Sequence, residues 1–128
     1  MSRANALNAL TLFNSAVSGF QNFITGTASA PPIDLSATAD VLLTVTVPAG
    51  ALTGTTPSIT VQLDGVDPAG SPIPAMVKTA AITAAGTYTV SGGLHSAGQV
   101  LPATGRITAV VAGAAAAATG IQITLTGR

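Results

Sequence analysis

Hydrophobic and polar residues alternate with a period of two along much of this chain. In "DVLLTVTVP" (40–48), Val41, Leu43, Val45 and Val47 fall on one side, with Leu42, Thr44 and Thr46 on the other. In "SITVQLDGV" (58–66), Ile59, Val61 and Leu63 alternate with Thr60, Gln62 and Asp64. In "GIQITLTG" (120–127), Ile121, Ile123 and Leu125 alternate with Gln122, Thr124 and Thr126. Successive side chains of a strand point to opposite faces, so this pattern predicts strands with one buried and one polar face. Pro48 ends the first, because proline cannot donate a ladder hydrogen bond. Runs at 75–83, 87–91 and 106–113 predict three more strands.

Gly and Pro clusters separate these runs at intervals of roughly ten residues, the spacing of an antiparallel sandwich or barrel. Parallel strands would need crossover helices, and no long helical pattern lies between the runs. The expected fold is all-β, an antiparallel sandwich of seven or eight strands. The "AAAAA" run (114–118) has high helix propensity but is too short for a stable helix, and reads as a hairpin loop between strands.

The first 32 residues fit two patterns. Leu7, Leu10, Phe13, Val17 and Phe20 are spaced like a helix face. "LTLFNSAV" is rich in β-formers, and Gly19 and Gly26 interrupt any long helix. The reading adopted is a strand at 10–17 followed by an extended arm reaching the sandwich near "PPIDLS". The organisation is then one domain, with an arm over 1–32 and the sandwich over 33–128. Phe13, Phe20 and Phe23 lie in the arm. Large apolar side chains left exposed there would be a liability, so they are candidates for packing onto the sandwich or onto a neighbouring subunit. The arm is expected to serve assembly more than folding: deleting 1–9 should leave a folded domain, and deleting 1–30 should weaken binding to a larger particle.

Composition narrows the functional classes. The 128 residues are 48% hydrophobic and only 6% charged, with zero formal net charge and no Cys or Trp. A usual domain is about a quarter charged. A surface this poor in charge resists aggregation weakly and suits a protein largely covered by neighbours. Arg3, Lys78, Arg106 and Arg128 are too few and scattered for the basic stripe that nucleic-acid binding requires. Without cysteine, disulfides and thiolate metal sites are excluded. No uninterrupted apolar segment resembles a signal or membrane helix, so a soluble, non-secreted protein without membrane contact is expected.

The candidate chemistry is sparse. Asp64 and Asp67 in "LDGVDPAGSP" bring two carboxylates to a site where calcium wants six to eight oxygens. Asp, Pro and Gly favour turns, and the stretch reads as a strand running into a connecting loop. His95 in "SGGLHSAGQ" lacks a local nucleophile motif and reads as a surface residue rather than a catalytic base. Tyr88 alternates with Val90 and reads as a core or interface residue. Arg106, opening a strand after "LPATG", is a candidate for a rim or interface salt bridge. No catalytic residue, cofactor or metal is expected.

Four stretches taken together resemble a known family. They are "DVLLTVTVPAGALTGTTPSITVQLDGVDPAGSPIP", "ITAAGTYTVSGG", "LPATGRITAVVAG" and "GIQITLTGR". Their order of strands and Gly-Thr-rich turns is similar to that of the small Ig-like virion proteins of tailed bacteriophages, especially those of actinobacterial hosts. The resemblance spans roughly residues 10–128 and rests on structural turns. It implies an Ig-like sandwich and a structural role in the virion, with no catalytic residues. Such proteins often carry an aromatic and more charge where this chain has "DPAGSPIP", so no partner contact is transferred there. The leading expectation is a capsid decoration or cement protein, assembled in the host cytoplasm onto the outer head shell. Its partners would be the major capsid protein and copies of itself. A tail-tube or tail-fibre subunit and a virion-displayed glycan-binding module are the alternatives.

Overall fold

A computed structural model describes residues 10–128; the expectation for a deletion of 1–9 lies outside them. The chain forms two packed antiparallel sheets. The strands are β1 (Leu10–Asn14), β2 (Phe23–Ile24), β3 (Gly26–Ser29), β4 (Ile33–Asp34), β5 (Asp40–Val47), β6 (Leu52–Val66), β7 (Pro72–Lys78), β8 (Gly86–Gly93), β9 (Thr104–Ala118) and β10 (Gln122–Gly127). Two single-turn helices, α1 (Ser15–Ser18) and α2 (Leu94–Ala97), sit at corners. The first sheet has the order β1-β10-β5-β8. In the second, β9, β6 and β7 lie side by side, and β2, β3 and β4 follow one another along the free side of β9.

The expected alternation sets the core. Val41, Leu43, Val45 and Val47 of β5 face inward beside Ile121, Ile123 and Leu125. Ile59, Val61 and Leu63 of β6 and Ile107, Ala109 and Val111 of β9 close the other side. Each large aliphatic side chain buried this way contributes about 1.5–3 kcal/mol against the entropy of ordering the chain.

The pairing is nested. β1 pairs with β10, the β2–β4 segments with β9, β5 with β8, and β6 with β7. An antiparallel ribbon has rolled up so that β10 also meets β5 and β9 also meets β6. That is the eight-position strand order of a jelly roll. An Ig-like sandwich keeps its first two strands in one sheet. Here the chain leaves the first sheet after β1 and enters the second at β2, so the sandwich expectation holds and the Ig-like topology does not. Alternation fixes which face of a strand is buried and carries no information on which strand is its neighbour.

The division at residue 32 does not follow the sheets. β1 is a strand of the first sheet, and residues 23–34 form the edge of the second. Deleting 1–30 would remove β1, β2 and β3 and expose the core beneath them, so its first effect falls on folding. Ser15 shows how closely this segment is built in. Fully buried, its hydroxyl accepts from the N–H of Ile123 at 2.8 Å and lies 3.4 Å from the carbonyl of Ile121.

The alanine run is strand, not loop. Residues 114–118 continue β9 against β6, with Ala116 and Ala118 buried. Alanine has poor strand propensity, but neighbours on both sides override it: Ala118 pairs with Leu52 of β6 and with Phe23 of β2. Two bulges let the strands cross closely here, and a Cβ at Gly54 would lie 2.7 Å from the carbonyl oxygen of Ala115.

Candidate interaction surface

Over β10, β5 and β8, the outer face of the first sheet is mostly hydroxyl and amide groups, with one large apolar side chain, Leu42, exposed among them. Ladder register aligns three rows across β10, β5 and β8: Gln122–Thr46–Thr87, Thr124–Thr44–Thr89 and Thr126–Leu42–Ser91. Thr46 and Thr87 hydroxyls are 3.3 Å apart. Threonine suits this position because its branched Cβ packs on the pleated surface while its hydroxyl stays wet. No charged residue interrupts these rows. The acidic residue of this sheet, Asp40, is the first residue of β5 and is covered from the side. Its Oδ1 accepts from the backbone N–H of His95 at 2.7 Å, and its Oδ2 lies 2.6 Å from His95 Nδ1. The His95 hydrogen bonds hold the Asp40 carboxyl below its ordinary value, against a smaller opposing effect of desolvation. This pair fastens α2 to the start of β5. Sequence placed His95 on the surface, where its side chain is 73% exposed, but gave no sign of a partner 55 residues away.

The margin of this sheet is β8. It runs in unbroken register with β5 from Gly86 opposite Val47 to Gly93 opposite Asp40. Tyr88 and Val90 point inward but are only half-buried, because the sandwich opens beside them. A groove of about 390 Å³ lies there, walled by Ala80, Ala81 and Ile82 opposite Tyr88 and Val90. The Tyr88 hydroxyl donates to the carbonyl of Ala84 at 2.7 Å, which holds the ring along this margin.

The aromatic candidates gather at the opposite corner. Phe13 and Phe20 meet edge to face with centroids 6.1 Å apart, and Phe20 and Phe23 at 4.7 Å. Phe13 and Phe23 are 8% and 6% exposed, turned into the core of their own chain, and Phe20 is half-buried between them. The cluster pins the crossover from the first sheet to the second. Solvent instead meets Val17 of α1 and Ile24 of β2, 86% and 78% exposed; Val17 stands out in the sequence only as part of a helical spacing, and Ile24 not at all. Arg106 lies on the outer face of the second sheet, opposite Asp64 in the ladder and half-buried. Its Nε is buried without a hydrogen-bond partner.

The two aspartates of the β6–β7 hairpin divide their work. Asp67 makes the turn, its Oδ1 accepting from the N–H groups of Ala69 and Ser71. Asp64 lies within β6 at a bulge. Its Oδ1 accepts from Gln62 Nε2 and the N–H of Ala75, both at 2.7 Å, and its Oδ2 from the Thr108 hydroxyl at 2.8 Å. These contacts tie three strands together. Among the described residues, no three His, Cys, Asp or Glu side chains gather where they could hold a metal ion, and no helix is long and apolar enough to cross a membrane.

Among the described residues, the fold and surface define an eight-position jelly-roll domain with an uncharged polar face and one open margin. No protein-family model matches the chain, and no curated protein matches it at a significant level.

Proposed function

We propose that this chain is a structural protein of a phage particle, a decoration protein bound in many copies to the outside of the head shell. The observation that carries the reading is the uncharged face over β10, β5 and β8. Copies carrying such a face can crowd together without long-range repulsion between them. Its hydroxyls can exchange water for partner groups at low desolvation cost compared with charges. Jelly rolls occur in viral capsid domains and also in lectins and cupins, so fold supports the reading without deciding it. The resemblance to small Ig-like virion proteins contributes its rhythm of strands and turns, not its topology.

The mechanism is binding energy, with no chemical step. A ligand that binds only the assembled shell stabilises that state by mass action. Interfaces of standard size, about 1,600 Å² in total, repeated over a shell suffice to raise the free energy of opening it. The test uses particles of the phage that encodes the chain, with heads and tails separated. Heads are expected to carry it at copy numbers comparable to capsid subunits or capsomers, and particles lacking it to release DNA at lower temperature. Recovery only in tails, at few copies, would replace this reading with the tail-tube or tail-fibre one. Recovery on the surface together with saturable glycan binding, and unchanged shell stability, would replace it with the glycan-binding one.

A further inference from the structure

We propose that β8 is a self-pairing edge: two copies of this chain join β8 to β8 in antiparallel register about a two-fold axis at Thr89. The two four-stranded sheets then become one continuous sheet. The inference does not rest on the virion reading, since it concerns two copies of the free chain.

Sheet edges are aggregation hazards that proteins usually blunt with prolines, charges, bulges or interruptions. Among the described residues, three of the four sheet margins are blunted. β1 is short, bulged and ends in α1. The β2–β4 margin is broken twice, with Pro31 and Pro32 in its second gap. β7 carries Pro72, Pro74 and Lys78 and a register shift against β6. β8 has no proline, charge or bulge over its eight residues.

The phase of its ladder fixes which backbone groups are free. The N–H of Leu94 donates to the carbonyl of Ala39, so the hydrogen-bonded pairs with β5 continue through Gly92, Val90 and Tyr88. The N–H and C=O groups of Thr87, Thr89, Ser91 and Gly93 therefore point away from the sheet. At Gly93 both are taken by one residue: its N–H donates to Gln99 Oε1 and its carbonyl accepts from the Gln99 N–H. Gln99 thus imitates an added strand for one residue and stops there; among the described residues nothing else pairs with Thr87 to Ser91, which are left for another chain.

The remaining stretch is self-complementary. Around Thr89 the sequence Thr-Tyr-Thr-Val-Ser reads polar, apolar, polar, apolar, polar in both directions. Antiparallel pairing centred there sets Thr89 against Thr89 of the second copy and Thr87 against Ser91. About six new backbone hydrogen bonds form. On the inner side, Tyr88 of each copy meets Val90 of the other, an aromatic and β-branched cross-strand pair of the favourable kind. Each pair lies at the groove beside Ile82, so the added side chains enter an apolar margin that is otherwise open. Such a contact is isologous and closes at two copies. No like charges face each other across it.

The experiment is sedimentation equilibrium of the full chain up to about 500 µM, a range that reaches weak dimers. A reversible monomer–dimer equilibrium is expected. Thr89→Pro removes the central outward donor without touching the β5 ladder, and Thr89→Lys places two charges face to face. Each should weaken dimerisation at least about tenfold while the thermal transition of the monomer persists. The second variant decides the matter if the first fails to fold. Register is read with Thr89→Cys in this cysteine-free chain: paired Cα atoms about 5.5 Å apart lie within disulfide reach. Thr89→Cys should give a covalent dimer under mild oxidation. Thr87→Cys alone should not, because its copies lie about 14 Å apart along the strands, but mixed with Ser91→Cys it should. A chain that stays monomeric throughout, or a dimer indifferent to Thr89→Lys, overturns the proposal and leaves the edge to a strand of a different protein.

Discussion

The two sheets solve the same problem with different means. Inside its short, bulged edge strand β1, the first pairs β10, β5 and β8 in unbroken register, and its polar face is mostly threonine. The second is interrupted: β6 shifts register against both β7 and β9, and its edge on the other side comes in three pieces. Charge follows the irregularity. Asp34, Asp64, Lys78 and Arg106 lie in strands of the second sheet, whereas those of the first hold only Asp40. A regular sheet is held by many equivalent pairs, and no single outward side chain is decisive. An irregular one depends on particular residues that satisfy the groups each bulge leaves over. The comparison therefore predicts unequal sensitivity to substitution at outward and backbone-determined positions.

The largest difference is expected where β6 and β9 cross at their bulges. Gly54 has φ of +105°, and a Cβ there would meet the backbone of Ala115 and Ala116 at 2.7 Å. Backbone cannot swing aside as a side-chain tip can. Gly54→Ala should destabilise by about 3 kcal/mol, combining left-handed strain with a steric clash. Thr124→Val, in the middle of the regular face, should change stability by no more than about 0.5 kcal/mol. Urea midpoints of the two variants measure the contrast. Equal losses would show that regularity confers no tolerance.

A smaller effect is expected at Asp64. Its carboxylate accepts three hydrogen bonds from three different strands and holds Ala75, whose φ is +54°. Asp64→Ala leaves these donors to find water or remain unpaired, at a cost of about 2 kcal/mol. Asp64→Asn keeps the size and one acceptor, and should recover part of the loss. If Asp64→Ala unfolds at the same urea concentration as the parent chain, the charged side chains of the second sheet are incidental.

The same contrast explains what could be read from the sequence. Strands 40–48, 58–66 and 120–127 were legible because alternation and burial coincide there: Leu43, Val45, Ile59, Val61, Leu63, Ile121, Ile123 and Leu125 are fully buried. β7 was only half legible. "PIP" reads as a breaker, yet on an edge strand the missing proline N–H groups cost nothing. The alanine run reads as a loop in the sequence because its strand state comes from β2 and β6, distant along the chain. The jelly-roll order and the aromatic corner were hidden for the same reason. The open edge of β8 shows only once its neighbours are known, although the Thr-Tyr-Thr-Val-Ser pattern that makes it self-complementary was visible from the start.

The smallest effect concerns the one acidic residue of the regular sheet and sharpens the comparison at its boundary. Asp40 stands at the end of β5 rather than on its face, and His95 holds its carboxyl below the ordinary value of 3.8 through two hydrogen bonds. A carboxyl whose folded-state value is depressed binds protons more readily in the unfolded chain. Its stabilising contribution is therefore complete above the ordinary value and is lost as pH falls through the depressed one. His95→Asn removes the imidazole donor but keeps the backbone N–H, so it should lose part of that contribution. Urea midpoints of the parent chain and the variant should differ at neutral pH and converge as pH drops below about 4, the range in which aspartates protonate. A gap that stays constant from neutral to acid pH would mean that the imidazole acts by packing on α2 and not through the carboxylate. The rows of threonine beside it contain no titrating group, so replacing Thr44 or Thr124 with Val should leave the shape of the pH profile unchanged.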